Sequence, residues 1–246
     1  MKGYFKTGII GWLFLLPFLG TGQIELDDLI QSKEVDSLYR EDQFYIGITY
    51  NLLLNTPPGV RSRGLSGGIQ GGFLRDMPIN KRRNVAIAVG LGLAYDQFGQ
   101  NFFVGEYTEG NTILRILYDT VDFTQNRFWM ATVELPIEFR WRTSTPTDFR
   151  FWRVYTGMKV GYTYWYKATF KQPGNIVNQT KIPEFNPLRL SATLGFGYNT
   201  FNFYASYNFN PFFKDAFTED GQKVNYNGIK VGLCFIFFNH ILKRIS

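Results

Sequence analysis

The sequence predicts an all-β chain folded as an eight-stranded antiparallel transmembrane β-barrel of an outer membrane, with N- and C-termini periplasmic. Three observations carry that prediction. Eight stretches alternate bulky apolar residues with small or polar ones, and a period of two marks a strand with two chemically different faces. The N-terminus has the makeup of a secretory signal, with a charged n-region at Lys2 and Lys6, an apolar run over Gly8–Gly20, and small residues Gly20 and Gly22 before Gln23. Aromatics make up 18% of the 246 residues, including 25 Phe and 15 Tyr. That is heavy for a soluble protein and natural for one that sets rings at lipid interfaces. Beyond residue 20 no apolar run approaches the ~20 residues a spanning helix needs.

The chain then divides into a signal segment (1–22), an acidic periplasmic lead-in (23–42), a barrel (43–239) and a short tail (240–246). The alternative for the first segment is an uncleaved anchor helix, which its short apolar stretch disfavours. Removing Lys2 and Lys6 takes the net charge from +6 to +4. No basic helix or stripe accompanies that excess, so a nucleic-acid partner is not expected. The lead-in carries Glu25, Asp27, Asp28, Glu34, Asp36, Glu41 and Asp42.

The first strand is expected near 43–53, with Ile46, Ile48, Tyr50 and Leu52 on one face. The second, near 65–74, is glycine-rich and presents Leu65, Ile69 and Phe73. The third, near 84–96, sets Val85 through Tyr95 against Ala86, Ala88, Gly90, Gly92, Ala94 and Asp96. The fourth, near 128–141, groups Trp129, Val133, Leu135, Ile137, Phe139 and Trp141; Pro136 there removes a ladder donor and suggests a bulge or kink. The fifth, near 151–166, carries Trp152, Val154, Met158, Val160, Tyr162 and Tyr164. The sixth (187–198), seventh (201–209) and eighth (226–238) repeat the pattern. Long connections at 98–127 and 167–186 contrast with the two-residue link Asn199-Thr200. Short periplasmic turns and long outer loops are the habit of outer-membrane barrels.

Volume decides which face is outside. An eight-stranded barrel is only just wide enough to be filled by side chains, so the bulky set, roughly forty of them, must face lipid. A soluble lipocalin-like barrel is the alternative. Two aromatic girdles favour the membrane: Trp141, Trp152, Tyr198, Phe201 and Phe237 at the periplasmic ends, and Tyr50, Tyr95, Trp129, Tyr164, Tyr207 and Tyr226 at the outer ends. The inward face then carries Glu134, Glu138, Arg140, Arg153, Lys159, Arg189 and Lys230. Charges in so narrow a space are costly unless paired. The expectation is a salt-bridged plug, with hydrated inner ends as the alternative near either mouth.

Catalysis, cofactors and small-molecule substrates are not expected. The one histidine, His240, lies in the tail, so a Ser-His-Asp relay has nowhere else to run. One cysteine, Cys234, allows no intrachain disulfide and reads as a small buried filler. The pairs Gly67-Gly68 and Gly71-Gly72 lie inside strands with no following helix, and read as room-makers in a tight barrel. Glu134 and Glu138 share parity in one strand, which argues against glycosidase chemistry.

The link Arg75-Asp76-Met77-Pro78-Ile79-Asn80-Lys81-Arg82-Arg83-Asn84 should face the periplasm. Arg75, Asp76, Lys81, Arg82 and Arg83 are suited to contact headgroups or an acidic partner. A charged turn that holds the hairpin in register and out of lipid is an equal reading.

Further motifs are more specific. Tyr39-Arg40-Glu41-Asp42-Gln43-Phe44-Tyr45 leads into Gly47-Ile48-Thr49-Tyr50-Asn51-Leu52, followed by Gly64-Leu65-Ser66-Gly67-Gly68 and Phe73 through Asn84. Together these resemble the PorT (SprT) family of the Bacteroidetes outer membrane, and Val133-Glu134-Leu135-Pro136-Ile137-Glu138 is similar to its wider barrel family. The resemblance implies Sec export to a Gram-negative outer membrane and a part in the type IX secretion system and gliding motility. It implies outer-membrane lipid and other secretion components as partners and no catalytic residues. A closed barrel is no translocation channel, so the expected role is an accessory or assembly factor. A passive pore or a surface adhesin is the alternative.

Overall fold

Period-two alternation becomes long strands in the computed structural model, which describes residues 42–107, 111–143 and 152–238. The expected signal segment, the expected lead-in before Asp42, and the tail with His240 lie outside the described residues. The strands in chain order are β1 (Asp42–Leu54), β2 (Gly67–Pro78), β3 (Val85–Gly99), β4 (Phe102–Glu106), β5 (Thr112–Ile116), β6 (Gln125–Arg142), β7 (Trp152–Gln172), β8 (Asn175–Gln179), β9 (Leu188–Tyr198), β10 (Phe201–Asn208) and β11 (Asn227–Phe238).

Eight of these form the barrel. The order β6-β3-β2-β1-β11-β10-β9-β7 closes on itself through β6–β7, and every pairing is antiparallel. The seam is β1 against β11, in unbroken register from Gln43↔Phe238 to Leu54↔Asn227. β8 folds back on β7, and β4–β5 is a separate two-stranded hairpin.

The faces sort as volume requires. Ile46, Ile48, Leu91, Leu93, Leu135, Ile137, Leu194 and Phe203 are exposed, while Ala86, Ala88, Thr132, Thr193 and Asn202 are buried. An apolar exterior around a polar interior is the inverse of a soluble barrel and the arrangement lipid demands. Large inward rings need glycine opposite them. A Cβ on Gly92 would strike the Tyr45 hydroxyl, and one on Gly195 would strike the Tyr155 ring.

Two local details differ from expectation. β2 runs to Pro78, beyond residue 74, because its alternation continues with Arg75 and Met77 exposed and Asp76 buried. At Pro136 the register does not shift: pairing with β3 lapses between Val89↔Ile137 and Gly92↔Glu134 and resumes in step. The bulge lies on the other side of β6, where Ala131 pairs with Trp165 and Thr132 with Thr163, leaving Tyr164 extra. Tyr164 and Trp165 are therefore both exposed.

The barrel has two unlike ends. At the turn end the connections are residues 79–84 and 199–200, with Asn199 at a φ of 54° in the left-handed region, and β6 ends and β7 begins there. At the loop end they are 55–66, 100–124, 173–187 and 209–226.

Candidate functional site

The lumen is filled by two tiers of charge. Nearest the turn end, Arg140 donates to Glu138 at 2.7 Å, to Asp76 at 2.9 Å and to the Gln43 side-chain oxygen at 2.7 Å. Gln43 in turn donates to Asp76 at 2.9 Å, and Arg142 reaches Asp76 at 3.4 Å and the Arg83 carbonyl at 3.0 Å. Arg153 and Tyr155 complete this tier, which leaves a cavity of about 10 Å³. That is room for about one water at most. Deeper in, Lys159 donates to Glu134 at 2.8 Å and to Gln70 at 3.0 Å. Lys230 pairs with Asp96 and lies 4.0 Å from Glu134, while Asn51 donates to Asp96 at 3.0 Å. Beside these charges pack Tyr45, Leu74, Ala88, Tyr155, Tyr204, Cys234 and Ile236. The Lys159 ammonium lies 5.0 Å from the Tyr204 ring centre, so part of its charge faces a π cloud.

The loop end is closed by apolar packing. Phe98, Phe102, Phe128, Phe185, Phe212, Phe213 and Tyr226 are buried together, joined by Val104, Leu114 and Ile116 of the β4–β5 hairpin. Rings meet edge to face, as Phe102 does with Tyr226 at 5.9 Å and Phe185 with Phe213 at 6.0 Å. All four long connections contribute, so the cap is a second core seated on the mouth.

A polar clasp ties this cap together on its surface. Glu219, in the 209–226 connection, accepts from Arg115 Nη2 at 2.9 Å and also from Arg115 Nε and the Tyr107 hydroxyl. Its backbone N–H donates to the Leu114 carbonyl at 3.0 Å. The hydrogen bonds from Arg115 and Tyr107 hold the Glu219 carboxyl below the usual carboxylate range. The same contacts raise the Arg115 guanidinium and the Tyr107 hydroxyl.

Of the inward charges expected from the sequence, Glu134, Glu138, Arg140, Lys159 and Lys230 converge in the two tiers. Arg153 is buried beside the first tier. Arg189 is different. Among the described residues it has no carboxylate neighbour at ion-pair distance; it is buried, donates to the Asn186 and Pro211 carbonyls, and stacks on Phe212 at 4.5 Å and Phe185 at 5.0 Å. It anchors the cap and is no part of the salt-bridged plug.

Asp76 moves the other way. Expected in the turn, it lies 1% exposed in the lumen at the centre of the first tier. Its inward parity was readable only with β2 extended past residue 74. Asp96 and Arg142 are the partners that charge-reading missed, although Asp96 sits on the small-residue face of β3. Tyr226, expected in the outer girdle, is buried in the cap. Of the other girdle rings, Tyr50, Tyr95, Tyr164, Trp141, Trp152, Tyr198, Phe201 and Phe237 are exposed, and Trp129 and Tyr207 are half-buried.

In the basic turn, Lys81 and Arg82 are exposed, and Arg75 lies 3.8 Å from Asp42 at the surface. Arg83 has a φ of 55°, its N–H donates to the Asn80 carbonyl at 3.0 Å, and its own carbonyl is held by Arg142. The turn is thus braced from inside the lumen.

Comparison with known proteins gives a family. Residues 30–214 match the family described as outer membrane protein beta-barrel domain. Among solved structures, Ail, the attachment invasion locus protein of Yersinia pestis, aligns over 80% of this chain and 98% of its own at 16% identity, with a TM-score of 0.35. Its complex with the heparin analogue sucrose octasulfate aligns over 81% and 100% at 15% identity, with a TM-score of 0.31. No curated protein matches the chain.

Proposed function

The chain belongs to the outer membrane protein beta-barrel domain family, and from that premise we propose that it is a non-conducting accessory factor of type IX secretion in the PorT manner. One observation carries the non-conducting part: the lumen is blocked twice, by ion-paired tiers and by an apolar cap. A barrel so filled offers a partner only its exterior and its two rims. On this reading it is a binding protein and catalyses no reaction. The secretion part rests on the resemblance around Tyr39–Asn84, and the turn end is then the periplasmic one.

Lys81 and Arg82 are the side chains we assign to partner contact. They project from a turn fixed by the Arg83 conformation and the Arg142 brace, so docking costs little ordering. Exchanging Lys81 and Arg82 for glutamate should lower export of type IX substrates while barrel abundance is unchanged. Crosslinked co-purification from native outer membranes should return secretion components with the unaltered protein and fewer with the variant. Full export with no co-purifying component would remove the secretion assignment and leave a barrel of other purpose.

A further inference from the structure

Near the loop end, on the barrel exterior, β2 lacks side chains where its neighbours are bulky. Gly67 points outward in a row that runs Tyr50, Gly67, Gln97, Trp129 across β1, β2, β3 and β6. A Cβ there would meet only the Thr49 carbonyl oxygen, at 3.0 Å. The result is an open groove of about 310 Å³ walled by Ile48, Tyr50, Leu65, Ile69, Tyr95 and Trp129. One wall is rigid: Tyr95 packs on Trp129 at 5.5 Å and stacks on Trp165 at 6.1 Å across the small Ala131.

Three cations neighbour the groove's walls in register on its loop side, although the Arg63 guanidinium is taken up by the Phe123 ring, 4.2 Å from its centre. The Arg63 N–H donates to the Gly99 carbonyl at 3.0 Å, and Gly99 pairs with Arg127, so the two arginines flank one strand position. Lys167 pairs with Trp129 itself. Among the described residues none of the three has a carboxylate partner. Girdle rings mark the boundary between hydrocarbon and headgroups, and these cations lie at or just beyond that ring level.

We propose that the groove holds one acyl chain of an anionic membrane lipid, with the lipid phosphate against Arg127 and Lys167. An apolar slot in the lipid-facing wall takes a hydrocarbon chain, and a cationic rim at headgroup depth selects a phosphate with net negative charge. This site is independent of the secretion reading.

The test is native mass spectrometry of the detergent-purified protein titrated with dioleoyl-phosphatidylglycerol, dioleoyl-phosphatidylcholine and inorganic phosphate. The first phosphatidylglycerol adduct should saturate at about tenfold lower concentration than that of phosphatidylcholine, and phosphate alone should give no adduct. R127E/K167E should abolish the preference between lipids; R127Q/K167Q serves the same purpose if charge reversal disturbs the barrel. L65W, which fills the groove from an exposed position, should weaken the first adduct of both lipids. Equal binding of the two lipids by the unaltered protein overturns the proposal. So does a charge variant that keeps the preference, an L65W variant that binds normally, or a phosphate adduct that displaces the lipid.

Discussion

Arg140 shows what a single residue must do in this lumen. It is 4% exposed and serves Glu138, Asp76 and Gln43 at once. Removing one member of a buried charge cluster leaves the rest uncompensated, at a cost of about 3–5 kcal/mol. Arg140→Met should therefore destabilise the barrel by about that much in urea unfolding from lipid vesicles. Adding Glu138→Gln and Asp76→Asn should recover part of the loss, because the stranded charges go with it. A single-variant loss below about 1 kcal/mol would mean that water reaches this tier. The side of each charge was legible wherever strand parity was: Glu134, Glu138 and Lys159 read as inward from alternation alone. Their pairing was not, because partners come from strands far apart in sequence, as Lys230 with Asp96 does. Asp76 was hidden by Met77-Pro78, which looks like loop chemistry yet closes a strand.

Among elements, the eight barrel strands were readable because lipid outside and tight packing inside impose opposite residue classes on alternate positions. Where that rule lapses, so did the reading. The β7 bulge puts Tyr164 and Trp165 on one side, and two adjacent aromatics give no parity signal. The cap has no sustained period; Phe185 and Phe213 come from irregular segments and Phe102 from the five-residue β4, and only their meeting in space makes a core. Its hairpin, β4–β5, is fastened by Glu219, whose carboxyl ionises below its ordinary range. The sign follows from linkage: a depressed carboxyl stabilises the folded form above its unfolded value of ~4.3, and that contribution is lost as pH falls through the lowered value. Amides of Thr112–Ile116 should exchange faster, relative to the intrinsic rate, once pH drops through that window. Glu219→Gln should show the faster exchange already at neutral pH. Exchange in this segment that is indifferent to both would show that apolar packing alone holds the hairpin.

For the whole molecule, the two closures are stacked and chemically distinct, so opening one leaves the other. Replacing residues 101–117 by a short Gly-Ser link removes the hairpin from the cap, yet Glu134, Lys159, Asp76 and Arg140 remain across the lumen. Planar-bilayer recording should find no steady channel in the unaltered protein or in this excision variant. Combining the excision with Lys159→Ala and Arg140→Ala should admit small, unstable currents. Steady conductance from the excision variant alone would show that the ionic tiers do not seal.

The seam between β1 and β11 governs how such a cylinder is made. Everything from Asp42 to Asn227 must be synthesised before β1 can meet β11. Until then both edges carry unpaired backbone groups that hydrocarbon cannot solvate. Contacts of that sequence span form slowly, and a product truncated before Asn227 has no partner for β1 and so no intermediate resting place in the bilayer.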